Sequence, residues 1–211
     1  MKNLKLIICL MLVAALLCAC GGSKISAADL TGVWSTTFED APEEVTYLLD
    51  YVDLYEEERA FVADVKLDAV ITVEFGEDGT ICFQYDVEAN KVCVRAFYEA
   101  VINALFENRA ALTELYGEEV AAMDLAAFQQ FYAEVYGFAD YAGFMDELVE
   151  TVYDYDALGE PIKKGTFKIL GETLMITPEG SEEKETIGLK LDGTTLTLTY
   201  SDGDEVYTKI S

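Results

Sequence analysis

Gly165-Thr166-Phe167-Lys168-Ile169-Leu170, Thr173-Leu174-Met175-Ile176-Thr177 and Gly193-Thr194-Thr195-Leu196-Thr197-Leu198-Thr199-Tyr200 lie in one stretch, residues 165–210, whose reading decides the fold. Apolar and polar side chains alternate along it with a period of two, the mark of strands with one buried face. Leu196, Leu198 and Tyr200 point one way, and Thr195, Thr197 and Thr199 the other. Five short strands are predicted: Gly165–Leu170, Thr173–Thr177, Glu185–Leu191, Thr195–Tyr200 and Glu205–Ile210. Between them stand Gly171-Glu172, Pro178-Glu179-Gly180, Asp192-Gly193 and Ser201-Asp202-Gly203, the residue types that tight turns require.

Towards the N-terminus the same period appears three more times. Trp34, Thr36 and Phe38 share one face of a strand that begins Gly32-Val33-Trp34. Ile71, Val73 and Phe75 alternate with Thr72 and Glu74; Gly76-Glu77-Asp78-Gly79 turns the chain; Ile81, Phe83, Tyr85 and Val87 then alternate with Cys82, Gln84 and Asp86. Eight short antiparallel strands joined by tight turns suit a closed up-and-down barrel, which leaves no exposed sheet edge.

Two stretches depart from that period. Asp40-Ala41-Pro42-Glu43-Glu44 reads as a helix start, with Asp40 or Ala41 as cap and Pro42 in the first turn. Val45, Leu48, Leu49 and Val52 continue it as one helix to about Arg59. Residues 89–158 form a helical insertion with no strand signal. Its three apolar stripes are Val94, Phe97, Tyr98, Val101, Ile102 and Leu105; then Leu125, Phe128, Phe131, Tyr132 and Val135 behind an Asp124 cap; then Phe144, Met145, Leu148, Val149 and Val152 behind Asp140. Gly117, Gly137 and Gly159 stand where these helices must break. The stripes must be buried against something: the barrel mouth, one another, or a partner.

The first residues read differently again. Lys2 and Lys5 precede an apolar run from Leu6 to Leu17, too short to span a bilayer. Leu17-Cys18-Ala19-Cys20-Gly21 follows and resembles a lipobox. That resemblance implies a signal peptide over residues 1–19, lipidation of Cys20, a tether over 20–28 and a folded domain over 29–211. It also implies an extracytoplasmic protein anchored to the outer face of a bacterial cell membrane, its partner being that membrane through the lipid on Cys20. An ordinary secretory peptide is the alternative.

Composition narrows the function. The 211-residue chain has 14 Lys and Arg against 40 Asp and Glu. Such a surface repels phosphate backbones, so no nucleic-acid partner is expected. There is no histidine, which removes histidine-based triads and histidine-ligated zinc. Cys82 and Cys93, the two cysteines outside the signal region, can pair or stay free. Asp154-Tyr155-Asp156 and Asp202-Gly203-Asp204 lack the ligand ladder of a calcium loop and read as solvated turns. No motif selects a carboxylate pair for glycosidase chemistry. The expectation is therefore a non-enzyme with no cofactor and no metal.

Gly32-Val33-Trp34 resembles the Gly-x-Trp of lipocalin-like barrels, and the ladder of residues 165–198 is similar to that of lipocalin-like lipoproteins of Gram-positive bacteria. The resemblance covers most of residues 29–211. It departs from ordinary lipocalins in the helical insertion after the third strand and in lacking their later loop motifs. The fold expected is thus mainly β with an α insertion: an eight-stranded antiparallel lipocalin-like up-and-down barrel carrying a helical block. A barrel of this size is packed solid or holds one small ligand.

The leading functional expectation is non-catalytic binding of a small apolar or amphipathic molecule between the barrel mouth and the helices. The alternative is an envelope structural module whose aromatic-rich helices engage a protein or glycan. Trp34, Tyr116, Tyr136, Tyr141 and Tyr153 are the candidate ligand-binding residues. For Trp34 the favoured role is structural, as a plug of the barrel floor. The tyrosines, with Tyr155, sit near helix ends and are expected to be the most exposed of the insertion's aromatics.

Overall fold

A computed structural model of the chain describes residues 25–40 and 42–211. Cys20 and the signal sequence lie outside the described residues. In chain order the elements are helix α1 (Ala27–Leu30), strand β1 (Gly32–Glu39), helices α2 (Pro42–Tyr51) and α3 (Glu56–Phe61), strands β2 (Asp68–Phe75) and β3 (Thr80–Tyr85), and the long helix α4 (Val87–Glu107). There follow α5 (Thr113–Tyr116), α6 (Leu125–Val135), α7 (Tyr141–Thr151) and α8 (Tyr155–Leu158), then β4 (Lys163–Ile169), β5 (Thr173–Pro178), β6 (Glu185–Asp192), β7 (Thr195–Thr199) and β8 (Asp204–Lys209).

The eight strands close in sequence order into an antiparallel barrel. The alternation in residues 165–210 sets the register. Phe167 faces Ile176, Leu174 faces Ile187, Leu189 faces Leu198, and Leu196 faces Tyr207, and all eight side chains are buried. A slip of one residue would turn each set outward, so burial specifies the pairing. β1 meets the last residues through Val33 N–H to the Ser211 carbonyl and Ile210 N–H to the Val33 carbonyl, both at 2.9 Å. Gly32 permits this closure: its φ is +120°, and a side chain there would collide with the Ser211 carbonyl oxygen.

The described residues divide into two compact units, one of 25–34, 74–81 and 164–211, the other of 35–73 and 82–163. In the first, Trp34, Phe75, Ile81, Phe167 and Tyr207 fill the interior alongside the aliphatic ladder. Phe75 and Phe167 pack edge to face, 5.1 Å between centroids. In the second, α4 supplies Val94, Phe97, Tyr98, Val101, Ile102 and Leu105, all buried as the stripe predicts, against Phe128 and Tyr132 of α6 and Phe144, Met145, Leu148 and Val149 of α7. Asp86, Asp124, Asp140 and Asp154 cap α4, α6, α7 and α8, each accepting a hydrogen bond from the backbone N–H three residues on.

Several details differ from the sequence expectation. The segment from Pro42 is two helices, broken at Asp53, which takes a φ of +45°. In an unbroken helix Leu54 would sit about 200° from Val52 and face away from the stripe; the turn brings both into the core. Val87 opens α4 instead of ending β3. Only the middle of the second stripe is covered, so Leu125 and Val135 at the two ends of α6 are exposed. Gly137 takes the left-handed conformation beyond α6, whereas Gly159 keeps a φ of −73°. β2 is also buried beyond its inward face: Val70 N–H donates to Asn90 Oδ1 at 3.0 Å, and Asn90 Nδ2 donates to the carbonyls of Val70 and Asp86, both at 2.7 Å. One side chain of α4 thus closes the backbone hydrogen bonding around Val70.

Candidate functional site

The residues singled out from the sequence fall in separate places. Trp34 is fully buried in the first unit, and its indole N–H donates to the Leu30 carbonyl at 2.7 Å. This is the geometry of a structural plug. Tyr116 and Tyr136 lie together on either side of Tyr132, with ring centroids 5.9 and 6.5 Å from it. Tyr141 meets Phe144, which stacks on Tyr136 at 5.2 Å. Tyr153 stands apart. None of these four tyrosines, nor Tyr155, is exposed; each is half-buried. The residues at the helix ends pack back onto the core: Tyr116, Tyr136 and Tyr153 bury the ring and hydrogen-bond the hydroxyl, whereas the buried hydroxyls of Tyr141 and Tyr155 have no hydrogen-bond partner among the described residues.

The Tyr116–Tyr132–Tyr136 group encloses a residue that no local pattern singles out. Glu58 is 1% exposed. Its carboxylate accepts from Tyr116 OH at 2.8 Å, from Tyr132 OH and from Tyr55 N–H at 2.9 Å. Tyr136 OH donates to the Val52 carbonyl. Burial, reinforced by the Glu58 charge, makes Tyr116, Tyr132 and Tyr136 harder to ionise than usual; for Tyr136 the pKa is pushed up to about 12. Tyr98, Val101 and Tyr136 surround a gap of only about 10 Å³, room for one water and no ligand. This cluster is a satisfied polar network within a packed core.

Tyr153 belongs to a larger space. A pocket of about 260 Å³ in the second unit is lined by Asp40, Glu44, Leu67, Asp68, Tyr85, Asn90, Val94, Tyr153 and Leu158. The turn after β1 supplies Asp40, and the first turn of α2 supplies Glu44. Leu67 and Asp68 come from the start of β2, Tyr85 from the end of β3, Asn90 and Val94 from α4, Tyr153 from beyond α7, and Leu158 from α8. Tyr153 OH donates to Glu44 Oε2 at 3.2 Å, and the Tyr153 ring stacks on Tyr47 at 5.9 Å. Asp40 N–H donates to the Leu67 carbonyl at 2.8 Å, tying the turn after β1 to the start of β2. Burial raises the pKa of Tyr85, with the charges of Asp40 and Glu44 adding to the shift. Tyr153 is shifted in the same direction by burial and then by Glu44. Cys93, next to the lining residue Val94, is shifted up by burial and by Asp68, so it is a poor nucleophile at neutral pH.

Neither Cys82 nor Cys93 forms a disulfide. Among the described residues no three His, Cys, Asp or Glu side chains stand close enough to hold a metal ion, and no helix is long and apolar enough to cross a membrane. Of the five candidates, Tyr153 alone lines the larger pocket. Tyr85, Asp40 and Glu44 were missed because alternation and the helix start account for each of them locally, and Asp68 precedes the alternation that marked its strand; only the tertiary structure brings the four together. Comparison with protein-family models, curated proteins and solved structures finds no match to the chain.

Proposed function

We propose that the chain is a non-catalytic binding protein that takes up a small amphipathic molecule in the pocket lined by Tyr85, Tyr153, Val94 and Leu158. The 260 Å³ pocket is the observation that carries this reading. A cavity of about 150 Å³ accommodates benzene, so this one has room for on the order of ten heavy atoms. Its wall combines aliphatic and aromatic surface with a few polar groups, the usual make-up of a ligand site. Apolar side chains supply contact area while the carboxylates and phenols orient the polar end.

The reading includes a place. The lipobox-like sequence ending at Cys20 supports a lipid anchor, with the domain held outside a bacterial cell membrane as a lipocalin-like lipoprotein. Two or three acyl chains bind a bilayer durably, and a strongly acidic domain cannot do so by its own charge.

The test is mass spectrometry of small molecules released when the purified chain is denatured. A compound of about ten heavy atoms, retained by the natural chain and absent from Leu158→Trp, whose larger ring intrudes on the pocket, supports the proposal. Retention of nothing by either protein counts against it and favours the second reading. That reading is an interaction module for a protein or glycan, and it draws on one observation: Tyr47, Tyr51 and Tyr55, spaced by four residues, are 47%, 43% and 56% exposed.

A further inference from the structure

The charge around the pocket restricts what can occupy it. Three acidic residues, Asp40, Glu44 and Asp68, line it together with Tyr85 and Tyr153, and none of the described lining residues is basic. Asp40 and Glu44 are half-buried, in positions where charge is less screened than on an open surface. Of the neighbouring lysines, Lys66 is bonded to Glu39 at 2.6 Å while still feeling the Asp68 charge, and Lys91 is bonded to Glu150 at 2.9 Å. An anionic ligand would meet three like charges. A wholly neutral one would cover carboxylates without replacing the water they lose. A bare divalent ion needs six or more converging oxygens, and no three acidic side chains among the described residues converge on one point.

We infer that the pocket selects a small organic ammonium ion, with its cationic head directed at Asp68, Glu44 and the Tyr85 and Tyr153 rings and its apolar body against Val94 and Leu158. An ammonium carbon shell interacts with carboxylates through charge and with tyrosine rings through their quadrupole, without demanding ordered coordination. The inference rests on the proposed function, since it names the ligand class of the same pocket.

Matched pairs test it. Choline and 3,3-dimethylbutan-1-ol share a shape and differ in charge; phenethylamine and 2-phenylethanol do likewise. Binding to the full chain is measured by titration calorimetry. The cations should bind about tenfold more tightly than their alcohols, and the gap should shrink in about 1 M NaCl, where the screening length falls to about 3 Å. Asp68→Asn and Glu44→Gln should each narrow the gap by weakening the cations more than the alcohols. Asp68 is exposed, so its variant should melt with the natural chain; a matching melting curve separates lost recognition from lost fold. Alcohols that bind as well as the cations, or variants that leave the cation preference intact, overturn the inference and leave the pocket a binding site. No binding by any of the four compounds overturns both the inference and the proposed function.

Discussion

Glu58 and Asn90 show how single side chains hold the helical unit together. Each is buried, and each spends its polar atoms on partners far along the sequence. Asn90→Leu would leave Val70 N–H without its partner, at about 1–3 kcal/mol for the buried group, while the Val70 and Asp86 carbonyls keep the bonds they accept from Asp86 N–H and Asn90 N–H. We predict a drop in the urea midpoint corresponding to about 1–3 kcal/mol; an unchanged midpoint would mean that water takes over the role. Glu58→Gln keeps the shape but faces an amide N–H₂ towards donors, and charge-assisted bonds are worth about 1.5–3 kcal/mol. Its predicted loss of that order is read by the same denaturation series, and Tyr132→Phe in the Glu58→Gln background should cost less than it does alone. Trp34 is the chain's sole tryptophan, so its fluorescence reports the barrel interior directly. Trp34→Ala should destabilise by about 3–5 kcal/mol through loss of packing. The sequence showed Trp34 as a candidate for either role, because Gly-x-Trp marks a strand start without saying whether the ring faces a void. Glu58 was hidden inside Glu56-Glu57-Glu58, where composition favours three solvated acids and only the tyrosines of α5 and α6 distinguish the third.

At the scale of elements the strands were the most legible part. Period-two alternation and turn residues placed all eight to within a few residues, because each strand buries one face and each turn has a restricted backbone. The caps Asp124 and Asp140 were legible for the same local reason, whereas Asp86 read as a strand residue and Asp154 as a solvated turn. Asp124→Ala and Asp140→Ala should each cost about 1 kcal/mol, and amide exchange should quicken in the first turn of α6 or α7 alone; uniform acceleration throughout the unit would show that the cap does more than hold its own helix. The break at Asp53 was not legible, since Val45, Leu48, Leu49 and Val52 fit one uninterrupted stripe. Leu54 is the residue that demands the turn, and its burial depends on α4 and α7 being present. Residues 109–122 were unreadable for a related reason: short turns buried through Leu112 and Val120 have too few residues to establish a period.

The whole molecule combines a closed barrel with a tyrosine-rich helical insertion, and the tyrosines give its stability a direction in pH. Burial raises Tyr136, Tyr141 and Tyr155 from 10.0 to about 12 in the folded chain. The folded state therefore holds these protons more strongly than the unfolded state. Their contribution is complete below about pH 10 and is lost as pH rises through about 12. Urea midpoints should fall steadily across that window, in step with the rise of tyrosinate absorbance; a flat profile to pH 12 would show that the buried hydroxyls ionise without opposing the fold. The pocket, by contrast, was beyond the reach of sequence reading. Its lining comes from seven places along the chain, and the site expected from aromatic residues at helix ends retains only Tyr153.

Amide and methyl chemical-shift mapping with a library of small fragments tests the central claim most directly, because it works whatever the natural ligand is. The account predicts that fragments which bind will shift resonances of Asp68, Tyr85, Val94, Tyr153 and Leu158 together, with ammonium-bearing fragments giving the largest saturable shifts, and that Leu158→Trp will abolish them. Saturable shifts centred elsewhere on the chain, or none at this pocket from any fragment, would contradict it.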